Sequence, residues 1–336
     1  MLTRRETISQ RRFRWPGRVG YNSWDMSLRP QFGTAQAARF TVLGSGSAGN
    51  ASLLEVEGFG LLIDCGLGPR ILAERLAAVG LSWQAVSACL VSHTHRDHWN
   101  ALTLAHLHRL RIPLLAHPYH HTAMSVRGEY PPLERAGLVR RYEEGQQFDA
   151  APGLTCLPVR VPHDSEPTFA FRIEGTGWAL GFASDVGHVT TGLLAAFSGV
   201  DALAIEFNHD ERMQRASGRP PLLINRVLGD NGHLSNAQAA DLTRAVARSG
   251  DLRHLIQLHL SRDCNRPDLA ARAGRVALDR VAPDAVVTTA TQFHPTTPLV
   301  LTPRAANRPR PARLPVGQRR SVQPSLPGLG DTTGPG

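Results

Sequence analysis

The chain has 336 residues, 42% of them hydrophobic and 19% charged, with 37 Lys+Arg against 28 Asp+Glu and a formal net charge of +9. That length supplies a large core without disulfide staples, and no apolar run approaches the roughly 18–20 residues of a membrane span. Four scattered cysteines, Cys65, Cys89, Cys156 and Cys264, make no C-x-x-C pair and fit a reducing, cytoplasmic compartment.

Residues 1–37 show no sustained periodicity. They are basic but have no apolar h-region, so no secretory signal is expected, and Glu6 and Asp25 argue against a mitochondrial-type leader. Two readings stay open: a disordered extension, or a segment upstream of a true start at Met26. The chain then alternates short apolar runs with helical stretches, the α/β pattern. Strands are predicted at Phe40–Leu43, Ala51–Val56 and Gly60–Asp64, a helix at Pro69–Val79 and a strand at Ala88–Ser92. A helix near Leu102–Leu110, a strand at Pro113–Ala116 and a helix from Pro118 complete the first half. The second half repeats the theme, with strands at Leu154–Val161, Thr168–Glu174 and Ala179–Ala183, a helix near Thr191–Phe197 and a strand at Ala202–Ile205. Helices at Pro221–Leu228 and Asn236–Arg248, a strand at His254–Leu258 and a helix at Pro267–Val281 follow. Cys89 and Cys156 fall in strand-like runs and read as small buried hydrophobes. The domain so defined is 38–301. Residues 302–336 are rich in Pro, Gly and Arg and are expected to be disordered.

The basic balance lies in the ends. Residues 1–39 carry 8 Arg against 2 acids and 302–336 carry 6 against 1, but 40–301 carry 23 against 25, and the chain has no lysine. The charge therefore reads first as solvated arginine-rich ends, and second as tails that add non-specific affinity for a polyanion.

The strongest chemical signal is Ser92-His93-Thr94-His95-Arg96-Asp97-His98, directly after an apolar strand. On extended chain His93 and His95 point the same way, and Asp97 and His98 turn toward a second position. Imidazole with carboxylate suits Zn²⁺, Mn²⁺ or Fe²⁺. His163, Asp185 and His259 each follow an apolar strand, and ligands gather at the carboxyl ends of strands in open α/β sheets. A further stretch, Gly232-His233-Leu234-Ser235-Asn236-Ala237-Gln238, contains an S-x-x-Q capping box opening a helix. Such a helix start can also receive an anion.

Together the set His93, His95, Asp97, His98, His163, Asp185 and His259 resembles the ligand series of the metallo-β-lactamase superfamily over residues 40–300. The resemblance implies a four-layer αβ/βα sandwich of two mixed sheets packed face to face with helices outside. It also implies two divalent ions, Zn²⁺ first and Mn²⁺ second. One would be held by His93, His95 and His163, the other by Asp97, His98 and His259, with Asp185 between them. Asp64 in Leu61-Leu62-Ile63-Asp64-Cys65-Gly66 matches the superfamily's structural aspartate. His188, His209, His120 and His121 are left over and are expected to be surface or supporting residues.

Gly232–Ser235 is similar to the Gly-His-Ser-Thr-type loop of ribonuclease Z, whose His acts with an upstream Glu, matched here by Glu206. FTVLGSGSAGN (40–50), EFNHDERM (206–213), RVLGDNGHLSN (226–236) and HLSRDCNRPDLA (259–270) resemble the YycJ/WalJ-type group, regarded as 5′→3′ DNA exonucleases. That likeness implies a metal-dependent phosphodiesterase acting on nucleic acid, DNA before RNA. Asp97, His233 and Glu206 would be catalytic, and Ser45, Ser47, Asn50, His233 and Ser235 would hold substrate. The alternatives are a small-molecule hydrolase (lactone, thioester or cyclic phosphodiester) and a metal-binding regulatory protein. Ala101, Arg219-Pro220 and Cys264-Asn265 depart from the group's usual Gly, Tyr-Pro and Asn-Asn. His259 follows Asp185 by 74 positions, too few for a β-CASP insertion, and neither a tRNA-clamping arm nor a glyoxalase II helical domain is visible. Oligomeric state is left open.

Overall fold

The computed structural model describes residues 37–126, 130–165, 167–250 and 252–304. The extension before 37 and the tail from 305 onward, both expected to be disordered, lie outside the described residues. In the first half the order is β1 (Ala38–Gly44), β2 (Ala51–Val56), β3 (Phe59–Ile63), α1 (Pro69–Ala78), β4 (Ala88–Leu90), α2 (Ala101–Leu110), β5 (Leu114–Ala116), α3 (His120–Ser125), α4 (Tyr130–Arg135) and β6 (Val139–Arg141). In the second it is β7 (Phe148–Ala151), β8 (Leu154–Val161), β9 (Thr168–Gly175), β10 (Trp178–Ala183), α5 (Thr191–Phe197), β11 (Ala202–Glu206), α6 (Glu211–Arg215), α7 (Pro221–Leu228) and α8 (Asn236–Arg248). There follow β12 (His254–Leu258), α9 (Pro267–Leu278), β13 (Val286–Thr289) and β14 (Leu299–Leu301).

The strands form two seven-stranded sheets, ordered β14-β1-β2-β3-β4-β5-β6 and β13-β12-β11-β10-β9-β8-β7. Each is antiparallel at one side and parallel at the other. Sequence explains the division. β2 and β3 are joined by Glu57 and Gly58, both at positive φ, the two-residue turn that suits a twisted hairpin. Parallel neighbours such as β3 and β4 are separated by a helix, the crossover that parallel pairing requires. β4 and β11 are buried along their whole length, as expected of strands covered on both faces.

Period-2 alternation sorts the side chains into layers. Leu61 and Ile63 join Phe40, Phe171, Phe182 and Ile256 in the core between the sheets, while the intervening Leu62 joins Leu72, Cys89 and Leu107 under the helices of the first half. Leu203, Leu255, Phe197 and Leu242 form the matching outer core of the second half. The result is the four-layer αβ/βα sandwich. All four cysteines are buried free thiols. No helix among the described residues is long and apolar enough to cross a membrane.

Four strands were not expected from the sequence: β6, β7, β13 and β14. Each has three or four residues and partly exposed side chains, too short to show a period. β13 and β14 follow α9, the element expected to be last. Beyond β14, Arg304 Nε donates to the buried Asp201 Oδ1 at 2.7 Å. The strand expected to reach Ser92 stops at Leu90 because Ser92 N turns to donate to Asp64 Oδ1 at 2.8 Å.

One contact fixes how the first sheet presents its chemistry. The 97–98 backbone is clipped to the chain after β1 and β3 by Asn50 N→Asp97 O (2.7 Å) and Cys65 N→His98 O (2.9 Å). Gly66 lies so close to this loop that an added Cβ would fall 1.8 Å from Asp97 O. Gly66→Ala should therefore displace residues 97–98, cost about 1–3 kcal/mol or more as overpacking, and lower both Tm and bound metal per chain. Thermal melts and elemental analysis check this; unchanged values in both would contradict the clip.

Candidate metal centre

The site lies where the carboxyl ends of strands from both sheets converge. β4 leads into His93, His95, Asp97 and His98, β8 into His163, β10 into Asp185, β11 ends at Glu206, and β12 leads into His259. The side chains form three clusters of possible donors, all within 4.8 Å of one another in each: His93, His95, His163 and Asp185; Asp97, His98, Asp185 and His259; and Asp185, Glu206, His233 and His259. Asp185 belongs to all three. Its Oδ2 lies 3.0 Å from His93 Nε2, 3.0 Å from His98 Nε2 and 3.6 Å from His163 Nε2. Its Oδ1 lies 2.8 Å from His259 Nδ1. Asp97 Oδ2 lies 3.1 Å from His259 Nε2 and 3.6 Å from His98 Nε2.

The outer nitrogens of four imidazoles are tied to groups that fix the tautomer. His163 Nδ1 meets the carbonyl of Gly232 at 2.9 Å, which can only accept. His95 Nε2 meets the Asp164 carboxylate at 3.2 Å. His98 Nδ1 meets Asp64 Oδ2 at 2.7 Å. Ser92 Oγ donates to Asp64 Oδ2 at 2.9 Å and so accepts from His93 Nδ1 at 3.0 Å. Each imidazole thus spends its N–H outward and turns a lone pair inward.

Inward-facing lone pairs are what a cation fits. His163 Nε2 and His95 Nδ1 stand 3.1 Å apart, both acceptors in the neutral rings. His93 Nε2 is buried and makes no hydrogen bond although Asp185 Oδ2 is 3.0 Å away. Facing acceptors repel unless a proton or a metal ion lies between them. With protons alone, burial pushes the His98 and His259 imidazoles down, but the surrounding carboxylates carry both well above the usual range. Burial likewise pushes Asp185 up, and His259 and His98 hold it well below its ordinary value. The centre is built for positive charge, and imidazole with carboxylate oxygen suits a borderline divalent ion.

The third cluster has a different character. Glu206 is fully buried, and its Oε1 accepts from Val186 N at 2.6 Å and Leu234 N at 3.1 Å. Its Oε2 faces His233 Nδ1 at 3.0 Å. Burial pushes Glu206 up, but His233 and His259 bring it down to about 2. The same contact raises His233 against the effect of its own burial. His233 Nδ1 is 3.7 Å from Asp185 Oδ1, and its ring lines the adjoining cleft.

The expected substrate-holding residues separate into two kinds. Ser47 is exposed and lines the cleft, as His233 does. Ser45, Asn50 and Ser235 are buried and committed elsewhere. Ser45 Oγ donates to Asn50 Oδ1 at 3.0 Å and accepts from His259 N at 2.8 Å. Asn50 Nδ2 faces Asp97 Oδ2 at 3.2 Å and His98 Nε2 at 3.0 Å. Ser235 closes the capping box of α8 with Gln238 and donates to Glu211 at 3.1 Å. Ser45 and Asn50 thus touch the backbone and side chains of the donors directly. His188, His209, His120 and His121 stay outside all three clusters. Sequence reasoning missed Asp164, which touches both His95 and His163, and Asn208, whose Nδ2 donates to His259 O at 2.9 Å. Adjacency to His163 was the only signal for Asp164.

The family model described as "Beta-lactamase superfamily domain" matches residues 60–259, a span that holds every member of the three clusters. The exodeoxyribonuclease YycJ of Bacillus anthracis is 28% identical over 236 residues, 69% of this chain and 85% of its own. The exodeoxyribonuclease WalJ of Streptococcus pneumoniae serotype 2 is 26% identical over 241 residues, with the same two shares. Among solved structures, the metallo-beta-lactamase fold protein YhfI from Bacillus subtilis aligns with a TM-score of 0.57 at 16% identity, covering 77% of this chain and 99% of its own.

The shared position of Asp185 yields an asymmetric expectation. Asp185→Asn should lower metal occupancy at the first and second clusters together, whereas Asp97→Ala should lower it at the second alone. Elemental analysis after equilibration with Zn²⁺ reads this directly, and equal losses in the two variants would remove Asp185 from its central place.

Proposed function

The chain belongs to the β-lactamase superfamily, and from that membership we propose that it is a dinuclear metal-dependent phosphodiesterase, a 5′→3′ exonuclease on DNA. The observation that carries the reading is the pairing of two inward-facing donor sets, which share Asp185, with His233, backed by the buried Glu206 and 3.7 Å from Asp185. The names of the relatives, both exodeoxyribonucleases, support DNA as the substrate.

In this reading His93, His95 and His163 hold one divalent ion, Asp97, His98 and His259 hold the other, and Asp185 serves both. Zn²⁺ fits these donors best and Mn²⁺ also fits. Two such ions supply an activated water and neutralise charge on the phosphoryl oxygens. The protein's own groups then handle orientation and protons. Asp64, Ser92, Gly232 and Asp164 keep the imidazole lone pairs turned inward. Asp97 is 20% exposed where Asp185 is 1%, so Asp97 is the cluster carboxylate placed to orient the attacking water and take its proton. His233 gives a proton to the departing oxygen, and Glu206 holds its Nδ1–H so that Nε2 faces the cleft.

The test begins with end-labelled single- and double-stranded DNA and RNA, incubated with Zn²⁺- and Mn²⁺-loaded protein. Stepwise shortening of DNA from the 5′ end is expected. Turnover confined to a lactone, thioester or cyclic phosphodiester would make it a small-molecule hydrolase instead, and metal binding without any turnover would make it a regulatory protein. His233→Ala should cut kcat on an oligonucleotide by about 10²–10⁴-fold with metal retained. The loss should be far smaller on a p-nitrophenyl phosphodiester, whose leaving group departs without an acid. Equal losses on both substrates would remove the acid role from His233.

A further inference from the structure

The cleft beside the clusters encloses about 160 Å³ and is lined by His233 and His259 together with Arg219, Leu223, Arg226 and Val227. The last four belong to α7 and the turn before it. No side chain of α7 is buried, and Leu222 is 83% exposed, so core packing does not account for the helix being there. Pro220 and Pro221 fix its first turn rigidly after Arg219.

Both arginines are held by carboxylates. Arg226 Nε bonds Asp164 Oδ2, and the other oxygen of Asp164 sits 3.2 Å from His95 Nε2 and 3.3 Å from His163 Nε2. One guanidinium therefore stands a single carboxylate away from the first donor cluster. Arg219 Nη2 reaches Asp263 Oδ2 at 2.7 Å. Each pair has one partner well open to water, Arg226 at 55% beside Asp164 at 26% and Asp263 at 72% beside Arg219 at 26%. Ion pairs this wet contribute little, so exchanging a carboxylate for another oxyanion is inexpensive. A guanidinium fork accepts phosphate oxygens as readily as carboxylate oxygens.

We infer that Arg219 and Arg226 grip the phosphates that flank the scissile bond of a nucleic-acid strand, with Asp164 holding Arg226 until the strand displaces it. The inference rests on the phosphodiesterase reading above. When Arg226 leaves, Asp164 still accepts from His95 Nε2, so that donor keeps its orientation. The arrangement also reconciles a domain of near-neutral overall charge with a polyanionic substrate, because the two cations stand in the cleft itself.

The experiment is fluorescence anisotropy of metal-loaded full-length protein with a labelled single-stranded DNA 12-mer. Its phosphorothioate linkages keep the charge and slow hydrolysis. Wild type, Arg226→Gln, Arg219→Gln and Arg226→Lys are compared across a salt series, with thermal melts confirming that each is folded. Each Gln variant should bind roughly tenfold more weakly, and its slope of log K against log salt should be shallower by about 0.7, the value for one phosphate contact on a single strand. Arg226→Lys, which keeps the charge but not the fork, should fall between. Affinity and slope unchanged in both folded Gln variants would overturn the grip. The phosphodiesterase reading fails on a different observation, wild-type protein that hydrolyses no phosphodiester with either metal. A wild type that cleaves a small diester but binds DNA without regard to either arginine overturns this inference alone.

Discussion

A single buried carboxylate organises this molecule. Asp185 is 1% exposed and has imidazole nitrogens of His93, His98, His163 and His259 within 3.6 Å. An ionised carboxyl in such a place is tolerable only when positive charge surrounds it. The neighbouring His259 and His98 hold its carboxyl well below the ordinary range in the bare protein, and divalent ions would supply positive charge when bound. The two sheets meet so that strands distant in sequence deliver these groups to one point. β10 brings the carboxylate, β4 and β8 bring one set of imidazoles, and β12 brings His259.

Holding lone pairs face to face requires the backbone to be held as well. Asp64 and His259 both adopt left-handed conformations, φ 60° and 53°, an arrangement that costs roughly 1–3 kcal/mol at a non-glycine residue and survives only where its surroundings over-determine it. For Asp64 those surroundings are Ser92, through its backbone N and hydroxyl, and His98. For His259 they are Ser45 and Asn208. The strain therefore sits at the aspartate that sets two imidazole tautomers and at the histidine that links the second and third clusters.

Much of this was legible in the sequence, and the reasons for success and failure are specific. H-x-H-x-D-H was readable because its donors are local and follow a strand. His163, Asp185 and His259 were readable because each ends an apolar run, and the long strands and helices were readable from their periods. The tautomers were not: the proton on His163 is fixed by a carbonyl 69 residues away. Nor did the sequence show which way the side chains of Ser45 and Asn50 face: Ser45 Oγ accepts from His259 N, and Asn50 Nδ2 faces Asp97 and His98. Arg219 and Arg226 vanished in a charge count that averages acids and bases over the whole domain. β13 and β14 were too short to carry a period, although the pairing of β14 with β1 completes the first sheet.

Anomalous diffraction from crystals of the metal-loaded protein tests the account most directly. Two peaks about 3.5–4 Å apart, one on each side of Asp185, are expected. A single peak, or a pair of peaks that leaves Asp185 without a metal neighbour, would contradict it.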